Sequence, residues 1–578
     1  MSTLLLDRKQ GKRRGSTEKI HNPASFSVDD KSDSASSAGE IPPLGAPLLQ
    51  SSEVQGFPWP WRRQKQDLDS IATQPSVFDD PATLKAYQPP PQYENSHRFE
   101  PLARWTWREE KAVIRKIDYR IMIWAFIMFF SLELDRSNIS QANADNFLND
   151  LGITTNDFNL GNVLFRLSFL CAELPSQLVS KRVGPDVWIP CQMVLWSIVS
   201  MFQFFLNVPE NALSVMLGFM QGGFIPDIIL YLSYFYTKTE LPIRLAFFWL
   251  SNYSADLSSA FLATGILRLR GVGGRAGWRY LFLLEGALTL VVGITSFFLM
   301  PPGPTETRTW FRPKGWFNER EEVIMVNRVL RDDPTKSSMH NREGLSVGMI
   351  FGAVFDWRMW PIYVLGLTHL VPVGPPQTYL TLSLRAIGFN TTETNLLSIP
   401  SIVLGMINLL IIVYISERVN SRIGTAVVLQ IWALPLLIAL YTFNHQTSQW
   451  VYFAVVTLVA GYPYVHPIQV AWASRNSYSV RTRTVSASVY NMCVQTGGII
   501  QANIYRNDDK PLYKRGNRVL IGICCMNIAL YAFIYNFYRT INARRQKKWE
   551  SMTVKEREYY LETTTDEGNK RLDFMFAY

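Results

Sequence analysis

Ten ionisable side chains stand inside long apolar runs of this sequence: Glu133, Asp135, Arg136, Arg166, Glu173, Asp227, Asp256, Glu285, His369 and His466. A charge at the centre of a bilayer costs about 2.5–3.5 kcal/mol on insertion scales, so each one that is retained there faces a cavity, a partner or an interface. A guanidinium presents a fixed fork of donors that suits a carboxylate, sulfate or sulfonate. Arg136 therefore either clamps an anion or neutralises Asp135 or Glu133 beside it. Arg166 lies near the middle of its run, too deep to snorkel to water, and needs an anion or an acid; Glu173, two turns on, is the internal candidate. Asp135 and Glu133 are candidate proton carriers, and binding of an anion to the neighbouring arginine would favour their protonation. Asp227 is a second option for that role, or a helix-end cap. For His369 and His466 a hydrogen-bonded interior histidine is the commoner case.

The elements that must hold these groups follow from length and composition. The chain has 578 residues, 48% of them hydrophobic and 18% charged, against roughly 25% charged in an average soluble domain. A mean hydropathy of +0.02 averages a polar start with a strongly apolar body. Residues 1–104 are rich in Ser, Pro, Gln and charge and read as a disordered cytosolic tail without a cleaved signal. At roughly 20 apolar residues per crossing, six spans are expected near 119–139, 158–180, 186–206, 211–237, 241–267 and 278–300. Six more follow near 359–384, 395–416, 424–443, 450–474, 483–504 and 517–538. The resulting division is a first half over 105–300, a cytosolic central loop over 301–357, a second half over 358–541 and a cytosolic tail over 542–578. The fold class is an all-α membrane protein of twelve transmembrane helices in two six-helix halves.

The net charge of +10 is spread over helix ends, loops and termini and forms no folded basic face, so no nucleic-acid partner is expected. The Lys and Arg excess puts both termini inside. Two loops break that rule, one with Arg268, Arg270, Arg275 and Arg279, the other with Arg506, Lys510, Lys514, Arg515 and Arg518; they either dip into the pore mouth or draw an anion from outside. The five cysteines form no Cys-x-x-Cys pair and no His stands at ligand spacing, so free thiols, no metal and no cofactor are expected. Neither a phosphate-cradling Gly loop nor a Ser/His/Asp motif is present, so an enzyme is not expected. Of the sequons, Asn390-Thr-Thr is the reachable one. Gly222-Gly223, Gly497-Gly498 and the stretch from Pro372 to Pro376 permit close helix approach and broken backbone where a pathway runs.

A faint repeat follows span 2, Ser180-Lys181-Arg182-Val183-Gly184, and span 8, Ser416-Glu417-Arg418-Val419 with Arg422-Ile423-Gly424. Parallel six-helix repeats of this kind mark one large transporter architecture. The chain resembles the major facilitator superfamily, and within it the fungal allantoate-permease-like branch of anion:cation symporters. The resemblance runs from about Arg104 to Tyr538 and rests on Leu134-Asp135-Arg136-Ser137-Asn138-Ile139, Glu173-Leu174-Pro175-Ser176, Gly277-Trp278-Arg279-Tyr280-Leu281-Phe282 and Asn395-Leu396-Leu397-Ser398-Ile399-Pro400. The segments Phe165 to Glu173, Gln221 to Leu230 and Tyr379 to Arg385 resemble the alternative sulfate and sulfonate transporters of that branch; nicotinate, pantothenate and allantoate are carried elsewhere in it.

The resemblance implies a major facilitator fold working by alternating access, carrying a small anion with protons. It makes Arg136 the anion clamp, with Arg166, Asn138, Gln377 and Arg385 as further substrate-binding residues. Asp135, Glu133 and Asp227 are the proton-coupling residues, and Glu173, Lys181, Arg182, Glu285, Glu417 and Arg418 the gating contacts. A monomer in the plasma membrane is expected. Two departures stand out: Ser214 and Gln221 occupy the places of an Arg and a Glu that serve the proton relay in related symporters, and Gly184-Pro185-Asp186-Val187-Trp188 lacks the usual basic residue after Gly-Pro. A transport-deficient sensor on the same scaffold is therefore the alternative reading.

Overall fold

The computed structural model describes residues 67–578 apart from 92, 145–146, 153–154, 206–209, 339–345, 381–382, 385–386, 390, 445, 478–482, 510–511 and 567. Among the described residues the regular structure is helical, with only isolated bridges such as Ile71 to Thr106. Twelve spans are present. The first half is built of Ile123–Ala144, Thr155–Val183, Pro185–Phe202, Glu210–Gln221 continued by Phe224–Ser233, Leu241–Ile266 and Gly277–Leu299. The second half comprises Trp360–Thr368 with Gly374–Thr378, Thr391–Val419, Arg422–Ala426 with Val428–Thr442, Gln449–Ala460 with His466–Asn476, Arg483–Ala502 and Lys514–Glu550.

Span 6 shows why these helices belong in lipid. Leu284, Leu288, Val291, Ile294 and Phe298 recur at three- and four-residue intervals on its outer face, 46–61% exposed, while Glu285, Thr289 and Ser296 face inward at 2% exposure or less. An apolar exterior around a polar interior inverts the pattern of a water-soluble helix. Ser296 accepts a hydrogen bond from Trp124 Nε1 of span 1 at 3.0 Å, and Phe129 of span 1 stacks on Phe248 of span 5 at 4.2 Å. Within the first half, span 2 packs on span 4, span 3 on span 6 and span 1 on spans 5 and 6. The two halves meet where span 5 lies against span 8 and span 2 against span 11.

Three spans are broken over two or more residues, whereas the two helices of span 9 are joined through Val427 alone, in helical conformation. Span 4 breaks at Gly223, whose φ of +91° is a left-handed conformation that a side chain would strain. Span 7 stops at Thr368 and restarts at Gly374, with prolines in the first turn where a missing N–H costs nothing. Span 10 stops at Ala460 and restarts at His466.

Residues 67–104 differ from the expected disordered tail. Helix Pro81–Tyr87 and the segment that follows pack on the central-segment helix Glu319–Asp332. Asp79 accepts from Arg331 at 2.5 Å, Glu100 N–H donates to Asn327 at 2.9 Å and Arg98 donates to Glu322 at 2.8 Å. The polar composition that reads as disorder finds its partners more than two hundred residues away. This collar is tied to the first half by Arg328, which donates to Glu240 at 2.6 and 2.7 Å, by Lys238 N–H to Asp332 at 2.7 Å, and by Lys336 Nζ to the carbonyls of Ser233 and Tyr236 at 2.9 and 3.0 Å. To the second half the contacts among the described residues include a long Arg483–Asp333 pair at 3.6 Å and, through the C-terminal segment, Tyr87 OH to Asp573 at 3.1 Å and Lys85 to Glu562 at 3.8 Å. That segment is itself docked: Trp472 Nε1 and Asn476 Nδ2 donate to the Ala577 carbonyl at 2.7 and 3.0 Å.

The basic loops that break the charge rule are paired locally. Arg270 binds Asp150 at 2.7 Å, Arg279 donates to the Phe204 carbonyl at 2.9 Å and Arg515 binds Asp508 at 2.5 Å. Neighbouring loop acids and carbonyls satisfy these three cations.

Candidate functional site

A cavity of about 290 Å³ lies between the halves at the middle of the spans. Span 1 contributes Glu133 and Arg136, three residues apart and therefore on one helix face. Arg136 Nη1 donates to Glu133 at 2.8 Å and Nε donates to Gln221 Oε1 at 2.9 Å, while its guanidinium lies over Phe169 at 5.1 Å. Span 2 contributes Arg166. A Cβ on Gly498 of span 11 would come within 2.8 Å of Arg166 Nη1, so the bare glycine is what admits the guanidinium to the seam. Arg166 makes no ion pair or hydrogen bond with any described residue, and the charge that acts on it is that of Arg136, of the same sign. Span 5 contributes Trp249, Asn252, Tyr253 and Asp256.

The second half supplies amides and rings. Gln377 accepts from Tyr462 OH at 3.4 Å. His466, at the restart of span 10, is packed edge-on by Trp249 at 4.7 Å and stacked by Tyr490 and His369 at 5.7 and 5.8 Å. His369 holds Nδ1 at 3.1 Å from the carbonyls of Leu365 and Gly366, an interior histidine bonded to its own helix. On the cavity wall, Asn491 Nδ2 donates to Glu173 at 2.7 Å across the seam. Glu173 is thus engaged by the second half and does not pair with Arg166.

The expected site residues separate into groups. Arg136, Arg166, Glu133 and Gln377 come together on the cavity. Asp135 and Asn138, next to them in sequence, point the other way, into the packing of spans 1, 3 and 6: Asp135 lies beside Thr289 and Trp196, and Asn138 beside Glu285, all buried. Asp227 is fully buried near Gln177, Ser180 and Lys181, off the cavity. Lys181 Nζ donates to Tyr234 OH at 3.4 Å, and Arg182 is exposed. Glu417 is gripped by Arg422, with Nη2 at 3.3 Å, while Arg418 stacks on and bonds Tyr414. Arg385 and Asn390 lie outside the described residues.

Sequence reasoning gave no role to Asp256 and missed Trp249, Tyr253, Asn491, Gln495 and Gln501. A signal existed: Trp249, Tyr253 and Asp256, and likewise Asn491, Gln495, Gly498 and Gln501, repeat at three- and four-residue steps within otherwise apolar spans.

A twelve-span bundle in two halves around a central cavity is the architecture of a carrier, and the sequence model of the Major Facilitator Superfamily matches residues 125–502. The chain belongs to the Major Facilitator Superfamily and is a multi-pass membrane transporter of that type, whose members carry small molecules. It is 42% identical to the transporter YIL166C of Saccharomyces cerevisiae over 490 residues, covering 84% of this chain and 90% of the yeast one. It is 28% identical to the transporter C1039.04 of Schizosaccharomyces pombe, covering 76% and 86% of the two chains. Among solved structures, the proton:xylose symporter XylE superposes with a TM-score of 0.58 at 12% identity, over 74% of this chain and 96% of that one, which shows the shared fold.

Proposed function

We propose that the chain is a secondary active transporter of a small anion, a sulfate, sulfonate or carboxylate, coupled to protons and working by alternating access at the plasma membrane as a monomer. The observation that carries this reading is Arg166, a guanidinium facing a mid-span cavity beside Arg136 with no acidic partner among the described residues. Such a charge needs a counter-ion to cross the bilayer region, and a cargo anion supplies it. Arg136, shared between Glu133 and Gln221, is poised to exchange one of those bonds for an oxyanion. The motif resemblance to sulfate and sulfonate carriers favours a sulfur oxyanion over other acids. Glu173, Lys181 and the central segment then form the inner gate.

The test is uptake into cells expressing the chain of labelled sulfate, ethanesulfonate, nicotinate, pantothenate and a cationic control such as choline. Concentrative uptake of one or more anions is expected, with none of choline, and Arg136→Ala should lose it while remaining at the cell surface. Uptake of choline alone overturns the anion reading, and normal anion kinetics in Arg136→Ala removes Arg136 from the site.

A further inference from the structure

Arg166 has a counterpart of opposite sign. Asp256 stands midway along span 5, one turn beyond Asn252 and two beyond Trp249, all on the cavity wall. Its side chain is exposed to the cavity and makes no ion pair or hydrogen bond with any described residue. The charge that acts on it is Glu133, across the packed pair of spans 1 and 5. Glu133 is already engaged by Arg136 at 2.8 Å, so of two facing carboxylates one has a cation and the other has none. Among the described residues, the remaining titratable or charged groups on this cavity are Arg166 from span 2, Tyr253 on the same helix, and Tyr462, Tyr464 and His466 around the break in span 10. Spans 7 and 11 contribute amides and apolar groups to the wall.

The charges make a simple sum. With the histidine neutral, the described wall residues Arg136 and Arg166 against Glu133 and Asp256 sum to zero in the empty cavity. A monoanion alone brings it to minus one and a proton alone to plus one; anion and proton together restore zero. Because net charge is costly in the low-dielectric core, the empty and the doubly loaded forms are the ones that reorient cheaply, which is the requirement for symport. The proton must sit on a carboxyl that no guanidinium holds ionised, and Asp256 is that carboxyl.

We propose that Asp256 carries the coupling proton, taken from water on the side to which the cavity is open and returned to water on the other, one for each monoanion bound at Arg166. This rests on the proton-coupled anion reading above. Asp135, buried away from the cavity, then has no part in the relay.

The experiment compares wild type, Asp256→Asn, Asp256→Glu and Asp135→Asn in proteoliposomes, with labelled ethanesulfonate and nicotinate as monoanionic probes. Two assays are run: uphill uptake driven by an inward proton gradient at clamped membrane potential, and counterflow at equal pH. Wild type, Asp256→Glu and Asp135→Asn should concentrate a probe, with alkalinisation of the outside read by a pH dye. Asp256→Asn should lose both signals yet keep counterflow, which also shows that it is folded. Proton-driven accumulation by Asp256→Asn equal to wild type overturns the assignment while leaving symport intact. Loss of counterflow in Asp256→Asn with retention in Asp256→Glu assigns the residue to cargo contact and also overturns it. Anion counterflow by wild type with no response to the proton gradient removes the coupled reading itself, and this inference with it.

Discussion

The two halves line the same cavity with different chemistry. Among the described residues the four charged wall residues, Glu133, Arg136, Arg166 and Asp256, come from the first half; the second half contributes amides, tyrosines, a histidine and two of the three broken spans. Charge sits on continuous helices, where packing fixes its position, and the breaks sit where neutral groups can shift without exposing a charge. On the proposed reading the first half recognises and couples, and the second half shapes the site and moves.

The sharpest way to break that division is Arg166→Ala. Removing one partner of a desolvated charge interaction costs about 2–5 kcal/mol, roughly 30-fold or more in apparent affinity, so anion uptake should fall below measurement at micromolar probe while surface expression is kept. Gln221→Glu comes next. Gln221 Oε1 already accepts from Arg136 Nε at 2.9 Å, and a carboxylate there would compete with the cargo for the same guanidinium, raising KM by about tenfold, or ~1.4 kcal/mol. Gln377→Ala, on the neutral side, removes at most an uncharged hydrogen bond and should raise KM by about 2- to 10-fold, leaving the pH dependence of uptake unchanged. A second-half amide as damaging as Arg166 would erase the distinction between the halves.

At the collar the expected effect is on stability. Burial pushes the Lys336 ammonium down to about 8 from 10.5, with Asp333 and Asp332 opposing. Between those values the unfolded chain holds a proton that the folded protein has released, so stability rises with pH through that window, by at most about 3 kcal/mol. The neutral amine still donates to Ser233 and Tyr236. Thermal melts from pH 7.5 to 10 should show this rise, and Lys336→Gln should flatten it.

The spans were legible because a bilayer crossing demands a length of apolar residues that little else requires; even the split helices fall within the expected windows. The faces were not. Glu133 and Arg136 reach the cavity while Asp135 between them does not, and in a helix apolar on all sides nothing local marks which stripe faces the interior. The amide and aromatic stripes of spans 5 and 11 carry that information, but only once read as spacings across several turns. Residues 67–104 were misread for another reason: their stability lies in Arg331, Asn327 and Glu322, side chains supplied by a distant helix, and composition alone does not reveal a partner.

The uneven fastening of the collar sets an order of events. Among the described residues the collar is held to the first half by several short, buried bonds, and its ties to the second half include the 3.6 Å Arg483–Asp333 pair, Tyr87–Asp573 and the exposed Lys85–Glu562 pair. In the proposed alternating-access cycle the halves part across these ties and the collar rides with the first half, like a clutch plate fixed to one shaft. A fluorophore pair or a cysteine bridge at positions 333 and 483 would accordingly clock each turnover, or stop it, without touching the cavity.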